Sequence, residues 1–168
     1  MTQQLYLLRH AKAESWNPLG NDFSRSLSST GRQQVQHVAN WALKTLVQPD
    51  TILCSPAKRT RETLAPLLAC WTKLLATTDY VDSMYNASLN MLLTLAEDAF
   101  SYSERLLVVG HNPGLEKMLI ELLPPDQDAR IQHLGAGTLA VIEFRDDFKR
   151  DTHAGNLLHL IRHSDVST

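Results

Sequence analysis

"LYLLRHAKAES", residues 5–15, sets apolar, strand-forming residues directly against Arg9-His10. A short apolar run closed by polar residues reads as a buried strand, so "QLYLLR" (4–9) is the first strand. Two polar residues at a strand end are compatible with a chain simply leaving its core. The pattern then recurs. "DTILCS" (50–55) is a second strand, ending in Ser55 with Arg59 close behind, and "RLLVVG" (105–110) is a third, running into His111-Asn112.

Helical patterns separate these strands. "SSTGRQQVQHVANWALKTL" (28–46) carries Val35, Val38, Ala42 and Leu46 as one apolar stripe behind a Ser/Thr cap. "PAKRTRETLAPLLACW" (56–71) opens with proline at a tolerated first-turn position and predicts a helix kinked or broken at Pro66. The stretch 72–87 reads as irregular, "SLNMLLTLAEDAF" (88–100) as helix, and "HNPGLEKMLIELL" (111–123) as helix in its later part. After a loop at 124–130, "TLAVIEF" (138–144) and "NLLHLIR" (156–162) predict a closing antiparallel pair. The alternation predicts an α/β fold: one domain over 1–168, a three-layer sandwich around a mainly parallel sheet with an antiparallel C-terminal edge.

Composition narrows the functional classes. A net charge of −2 over 168 residues leaves no basic footprint for nucleic acid. The N-terminus lacks the pattern of a signal peptide, and no apolar run approaches the roughly 20 residues of a membrane span. The expectation is a cytoplasmic chain without membrane contact. Cys54 and Cys70, both in apolar surroundings, read as small buried hydrophobes rather than a disulfide or metal pair.

In open α/β sheets, ligands gather beyond the carboxyl ends of the strands. Arg9-His10, Ser55 with Arg59, and His111-Asn112 all fall there. Arginine forks match phosphate oxygens bidentately, and a neutral imidazole can attack phosphorus to form a phosphohistidine. A second, protonated histidine could stabilise charge on the equatorial oxygens. This chemistry needs no cofactor and no metal, and zinc or iron on His10 and His111 would lack carboxylate or cysteine partners at suitable spacing.

"LYLLRHAKAE", "DFSRSLSSTG", "LCSPAKRTRETL", "VVGHNPGLE" and "GAGTLAVIEF", in that order from residue 5 to about 144, resemble the motifs of the histidine phosphatase (phosphoglycerate mutase-like) superfamily. More narrowly, the chain is similar to the small SixA-type phosphohistidine phosphatases. The resemblance implies that His10 is the phosphorylated nucleophile, that Arg9 and Arg59 grip the phosphoryl oxygens, and that His111 completes the pocket. Asn112 is a weaker candidate for substrate binding, and Ser55 is expected to fix the loop presenting Arg59. Asp22 and Arg25 match a charged pair of the family, for which a structural salt bridge is as good a reading as catalysis. Arg61 and Glu62 read as solvated or locally paired.

The departures are informative. "RSLS" stands where the SixA pattern runs Arg-Pro-Leu-Thr, and Ala11 replaces the superfamily's common glycine. Many members supply a glutamate acid from a segment like "MYNAS" (84–88), where this chain holds Asn86. An alkoxide leaving group gains about 10²–10⁴-fold from a general acid. A phosphohistidine protonated on its other ring nitrogen leaves as neutral imidazole and needs none. The missing acid therefore favours a phosphohistidine in a protein, a relay or carrier domain, with phosphate as product. In the competing reading Glu14, Asp22 or Glu116 supplies the acid for a small phosphoester, and a non-catalytic phosphate-binding signalling module is the third class. His37 reads as surface, His133 as a loop residue near the rim, and His153, His159 and His163 as strand-face residues. Trp16-Asn17 echoes a substrate-contacting pair of the phosphoglycerate mutases, but one residue out of register, and takes no role.

Overall fold

The computed structural model describes residues 2–16, 18, 20–125, 133–150 and 153–163. Strand β1 (Gln3–Arg9) runs parallel to β4 (Arg105–Gly110), β4 parallel to β2 (Thr51–Cys54), and β2 parallel to β3 (Thr78–Tyr80). On the other side of β1, β5 (Leu139–Phe144) and β6 (Asn156–Ile161) complete the sheet as an antiparallel pair, giving the order β3-β2-β4-β1-β5-β6. The predicted mainly parallel sheet with an antiparallel C-terminal edge is what forms.

Both faces of the central strands are covered, which is why they read as continuous apolar runs. Leu5 and Leu7 of β1 join Leu106 and Val108 of β4 in the core beneath helices α3 (Leu89–Phe100) and α4 (Gly114–Leu122). Tyr6 and Leu8 join Leu107 and Val109 on the opposite face, beneath α1 (Ser29–Thr45) and α2 (Lys58–Cys70). Alternate residues of one strand thus serve two cores. Ser28 and Ser88 cap α1 and α3, their hydroxyls accepting from the N–H groups of Gly31 and Met91. Gly31 is a forced choice: a Cβ there would collide with the Lys12 carbonyl, so the first turn of α1 lies flush on the loop that follows His10.

Several expectations need correction. Pro56 lies before α2 rather than in its first turn, and α2 continues through Pro66 to Cys70. Proline removes one N–H from the ladder, but burial of Leu64, Leu67 and Leu68 on either side keeps the helix on the sheet. Cys70 is exposed, because it falls on the outer face of the last turn; Cys54 is buried as expected. The stretch 72–87 is not irregular throughout. It contains β3 between two 3₁₀ turns, Thr72–Thr77 and Asp82–Met84. A three-residue edge strand, mostly exposed, has no apolar periodicity to betray it. Most of the expected 124–130 loop, and Asn17, lie outside the described residues.

Candidate active site

The register of three adjacent strands sets the site. Arg9 pairs with Gly110, and Cys54 with Val109, so the chains leave β1, β4 and β2 at one level. The His10 N–H donates to the Gly110 carbonyl and the Ser55 N–H to that of Val109. His10, His111 and Ser55 therefore share one rim, and α2 delivers Arg59 to it. The ring centroids of His10 and His111 are 5.2 Å apart.

Hydrogen-bond logic assigns the protons. The Nδ1 of His10 lies 2.8 Å from the Ala11 carbonyl oxygen, which can only accept, so Nδ1 carries the hydrogen. Nε2 keeps a lone pair and receives the Nε–H of Arg59 at 3.3 Å. For His111, the Arg59 Nη2 at 3.3 Å can only donate, so Nδ1 holds the lone pair and Nε2–H donates to Ser55 Oγ at 2.7 Å. Burial pushes the His10 imidazole down to about 4; the Ala11 carbonyl opposes this and the Arg59, Arg9 and Arg25 guanidinium groups add to it. His111 is pushed down to about 3 by burial, then by Arg59 and His10. Both rings are neutral at pH 7.

Arg59 is only 4% exposed and uses two separate edges of its guanidinium. Its Nε and Nη2 address the two histidines, while Nη1 donates to the Asp22 carbonyl at 2.7 Å and Nη2 to Asp22 Oδ2 at 3.1 Å. Asp22 is held in turn by Arg25 at 2.8 Å and by the Tyr85 hydroxyl, which donates to Oδ2 at 2.6 Å. The Tyr85 bond, with Arg59 and Arg25, holds the Asp22 carboxyl below its ordinary range against the opposing effect of burial. The Tyr85 ring stands edge-on to His111 at 5.5 Å and beneath the Arg59 guanidinium at 5.8 Å.

Arg9 reaches the same mouth from β1. Its Nη1 donates to the Leu134 carbonyl at 2.8 Å and lies 3.4 Å from His133 Nε2; its Nε–H is buried and has no acceptor. The Asn112 amide is committed elsewhere. Its Nδ2 donates to Glu116 Oε2 at 3.1 Å and to the Leu134 carbonyl at 2.9 Å, so both amide hydrogens are used within the protein, while its buried Oδ1 has no partner.

The three carboxyl groups considered as acids are accounted for. Asp22 is ionised and tied to two arginines. Glu116 Oε2 accepts from the Leu134 N–H at 2.8 Å and meets His133 Nδ1 at 2.7 Å, fixing the loop below Arg9. Glu14 is exposed, and its hydrogen bonds are those of its backbone, with Ser26 and Arg25. Asn86 is exposed too, in a left-handed conformation at φ 55°. Its neighbour Tyr85 is the residue that enters the site. The sequence pattern did not single it out; its one signal was an aromatic ring beside Asn86, in the segment compared with the family's acid.

Other expectations resolve in the same way. Ser55 fixes its loop through its carbonyl, which accepts from Thr60 Oγ1 at 2.7 Å, and its hydroxyl also sets the His111 tautomer. Asp22 and Arg25 do form a salt bridge, but Asp22 also holds Arg59. Glu62 bonds beyond its helix, accepting the Leu27 N–H at 2.6 Å. His37 is half-buried against His163 rather than surface, because β6 passes across α1 there. His153 and His163 flank β6 instead of lying in it, whereas His159 is in the strand. Among the described residues, no group of three or more His, Cys, Asp or Glu side chains could hold a metal ion, and no helix is long and apolar enough to cross a membrane.

Comparison with known proteins agrees with this geometry. Residues 5–80 match the model of the histidine phosphatase superfamily (branch 1). The chain is similar in structure to a SixA protein of Agrobacterium tumefaciens assigned as a phosphohistidine phosphatase, with 30% identity, 95% of this chain and 97% of that one covered, and a TM-score of 0.82. It shares its fold with the protein histidine phosphatase SixA complexed with tungstate, at 17% identity, 98% and 100% coverage and a TM-score of 0.79. An uncharacterised protein of Mycobacterium tuberculosis is 30% identical over 115 residues, 68% of this chain and 69% of that one.

Proposed function

The chain belongs to the histidine phosphatase superfamily and has the SixA-type architecture, and on that premise we propose a phosphatase that removes phosphate from phosphohistidine in a protein through a covalent phospho-His10 intermediate. The observation that carries the substrate class is that none of the three candidate carboxyl groups is hydrogen-bonded to the His10 or His111 ring as a proton donor: Asp22 is ionised and holds Arg59, Glu116 is engaged with the Leu134 loop, and Glu14 is exposed and bonded through its backbone. A phosphoimidazole whose second nitrogen bears hydrogen leaves neutral, so it is the phosphoryl donor that least needs such an acid.

In the first step the His10 Nε2 lone pair attacks phosphorus in line. The P–N bond to the substrate breaks and its electron pair stays on the departing imidazole. The Arg59 edge that faces the two histidines turns its N–H groups to phosphoryl oxygens, joined by the unengaged Nε–H of Arg9. The dianion between the rings offsets the arginine charges and favours protonation of His111 at Nδ1, its Nε2–H remaining on Ser55. In the second step water attacks phosphorus, His10 departs as neutral imidazole, and the water proton leaves on the phosphate or to solvent. No metal enters either step.

The test is a parallel assay on a phosphohistidine peptide, p-nitrophenyl phosphate and common phosphoesters, without added metal. The phosphohistidine peptide should be hydrolysed with the highest kcat/KM by a wide margin. Preference for esters would overturn the substrate assignment and call for a hidden general acid.

Asp22 and Tyr85 act on this chemistry as positioning residues, holding the outer edge of Arg59 so that its inner edge stays aimed between the histidines. Asp22→Asn, which keeps the shape and removes the charge, should lower kcat/KM by about 10- to 100-fold, in line with the cost of a misplaced clamp. Tyr85→Phe should show a smaller loss. If both variants, folded by circular dichroism, matched the unmodified protein in kcat/KM, the positioning role would be refuted.

A further inference from the structure

A second concavity opens beside the site. It is a groove of about 610 Å³ between the Asp22–Ser24 turn, the outer side of α2 and β3. Three residues of the site each have a chain neighbour in its wall: Phe23 beside Asp22, Pro56 beside Ser55, and Lys58 beside Arg59. The Phe23 ring also packs edge-on against Tyr85 at 5.2 Å, and Tyr85 touches His111. The groove and the catalytic rim are thus two sides of the same turn and the same helix.

The groove has a definite chemistry. Its floor is apolar, and Phe23 and Tyr80 remain 37% and 44% exposed, large aromatic surface left open by the described residues. Its charged margin is unequal. Lys58 and Arg61 stand exposed, with the Arg61 guanidinium 5.1 Å over the Tyr80 ring. The one acid of the lining, Glu62, is committed to the Leu27 N–H and lies 4.0 Å from Lys58. An apolar slot under two cations complements an apolar side chain with a carboxylate next to it, and repels a basic one.

We infer that this groove seats the chain flanking the phosphohistidine of the protein substrate, selecting an apolar residue beside an acidic one. The inference rests on the phosphohistidine reading above and adds to it the sequence around the target. Because the groove wall adjoins the site at Phe23, Pro56 and Lys58, and an extended chain advances about 3.3–3.6 Å per residue, the residues that reach the groove while the phosphoryl group occupies the histidine rim are those a few positions from the phosphohistidine. The partner is thereby recognised by its local sequence as well as by its phosphoramidate.

Four substrates test this: free phosphohistidine, a phosphohistidine peptide with Leu-Glu steps within four residues on both sides, the same peptide with Glu replaced by Lys, and the same with Leu replaced by Ser. The Leu-Glu peptide should exceed the Lys and Ser peptides about 10-fold in kcat/KM, mainly through KM. Arg61→Glu should reverse the preference between Glu and Lys, and Tyr80→Ala should erase the advantage of Leu. Both variants should hydrolyse free phosphohistidine at the unmodified rate. Equal kcat/KM for the three peptides, or a preference that survives both substitutions, overturns the inference while leaving the phosphatase reading intact. If Tyr80→Ala slows free phosphohistidine as well, the groove holds the small substrate itself and the docking assignment is wrong. Failure to hydrolyse free phosphohistidine and every peptide while esters turn over would instead sink the substrate class, and this inference with it.

Discussion

Replacement of His10 by alanine is expected to abolish turnover, by on the order of 10⁴-fold or more, while phosphate and vanadate still bind. The two properties separate because they reside on different atoms. In the proposed mechanism the nucleophile is the single lone pair on His10 Nε2, the hydrogen on Nδ1 being fixed by the Ala11 carbonyl. The donors proposed to grip the anion survive the substitution: the inner edge of Arg59 and the unengaged Nε–H of Arg9. Steady-state assays on a phosphohistidine peptide, with vanadate binding followed by calorimetry, read both halves. Near-normal turnover by His10→Ala would place the nucleophile elsewhere. Loss of vanadate binding as well would show that the His10 ring, not the arginines, organises the pocket.

Arg59→Ala should fail in both respects. Turnover is expected to drop by about 10²–10³-fold, the usual cost of removing a preorganised donor from an anionic transition state, and phosphate affinity should weaken with it. Arg59→Lys should recover little, because a point charge cannot span both histidines and the backbone carbonyl and Oδ2 of Asp22. The substitution also has a pH signature. For the unmodified protein the acid limb of kcat/KM should lie near the free-enzyme value of His10, about 4, instead of near 6.5. Burial is the largest cause of that depression and Arg59 a smaller one, so Arg59→Ala should shift the limb upward only part of the way. A limb near 6.5 in the unmodified protein would mean that His10 is not buried as described. The same depressed values bear on stability. The unfolded chain takes up protons on His10 and His111 as pH falls below about 6.5, whereas the folded chain resists until about 4 and 3. The folded state should therefore be unaffected by these groups above pH 6.5 and lose stability progressively below it.

Much of this site was legible in the chain itself. His10, Arg59 and His111 could be singled out because each follows a strand that had to be apolar throughout, and such strand ends converge in an α/β sheet. Arg9 followed from the same logic. Other residues misled for physical reasons. Asn112 carries the right groups in the right place, but α4 brings Glu116 one turn away, and the carboxylate claims its amide. Asp22 read as an acid or a structural ion because its partners, Arg59 and Tyr85, are 37 and 63 residues distant. Asn86 drew attention for the carboxyl it lacks, when the side chain entering the site was Tyr85. Cys70 read as buried from its apolar neighbours, but the helix turns it outward.

The sequence by itself determined which apolar segments are strands, in what order they carry polar ends, and hence which histidines and arginines share a rim. Burial on two faces demands an unbroken apolar run, and that demand is written locally. Only the tertiary structure decided which nitrogen of each imidazole bears hydrogen, which edge of Arg59 faces the two histidines, and which carboxyl groups are already committed. Those properties depend on hydrogen-bond partners supplied by distant elements, and no local pattern encodes a contact that exists only once β1, β2, β4 and α2 have come together.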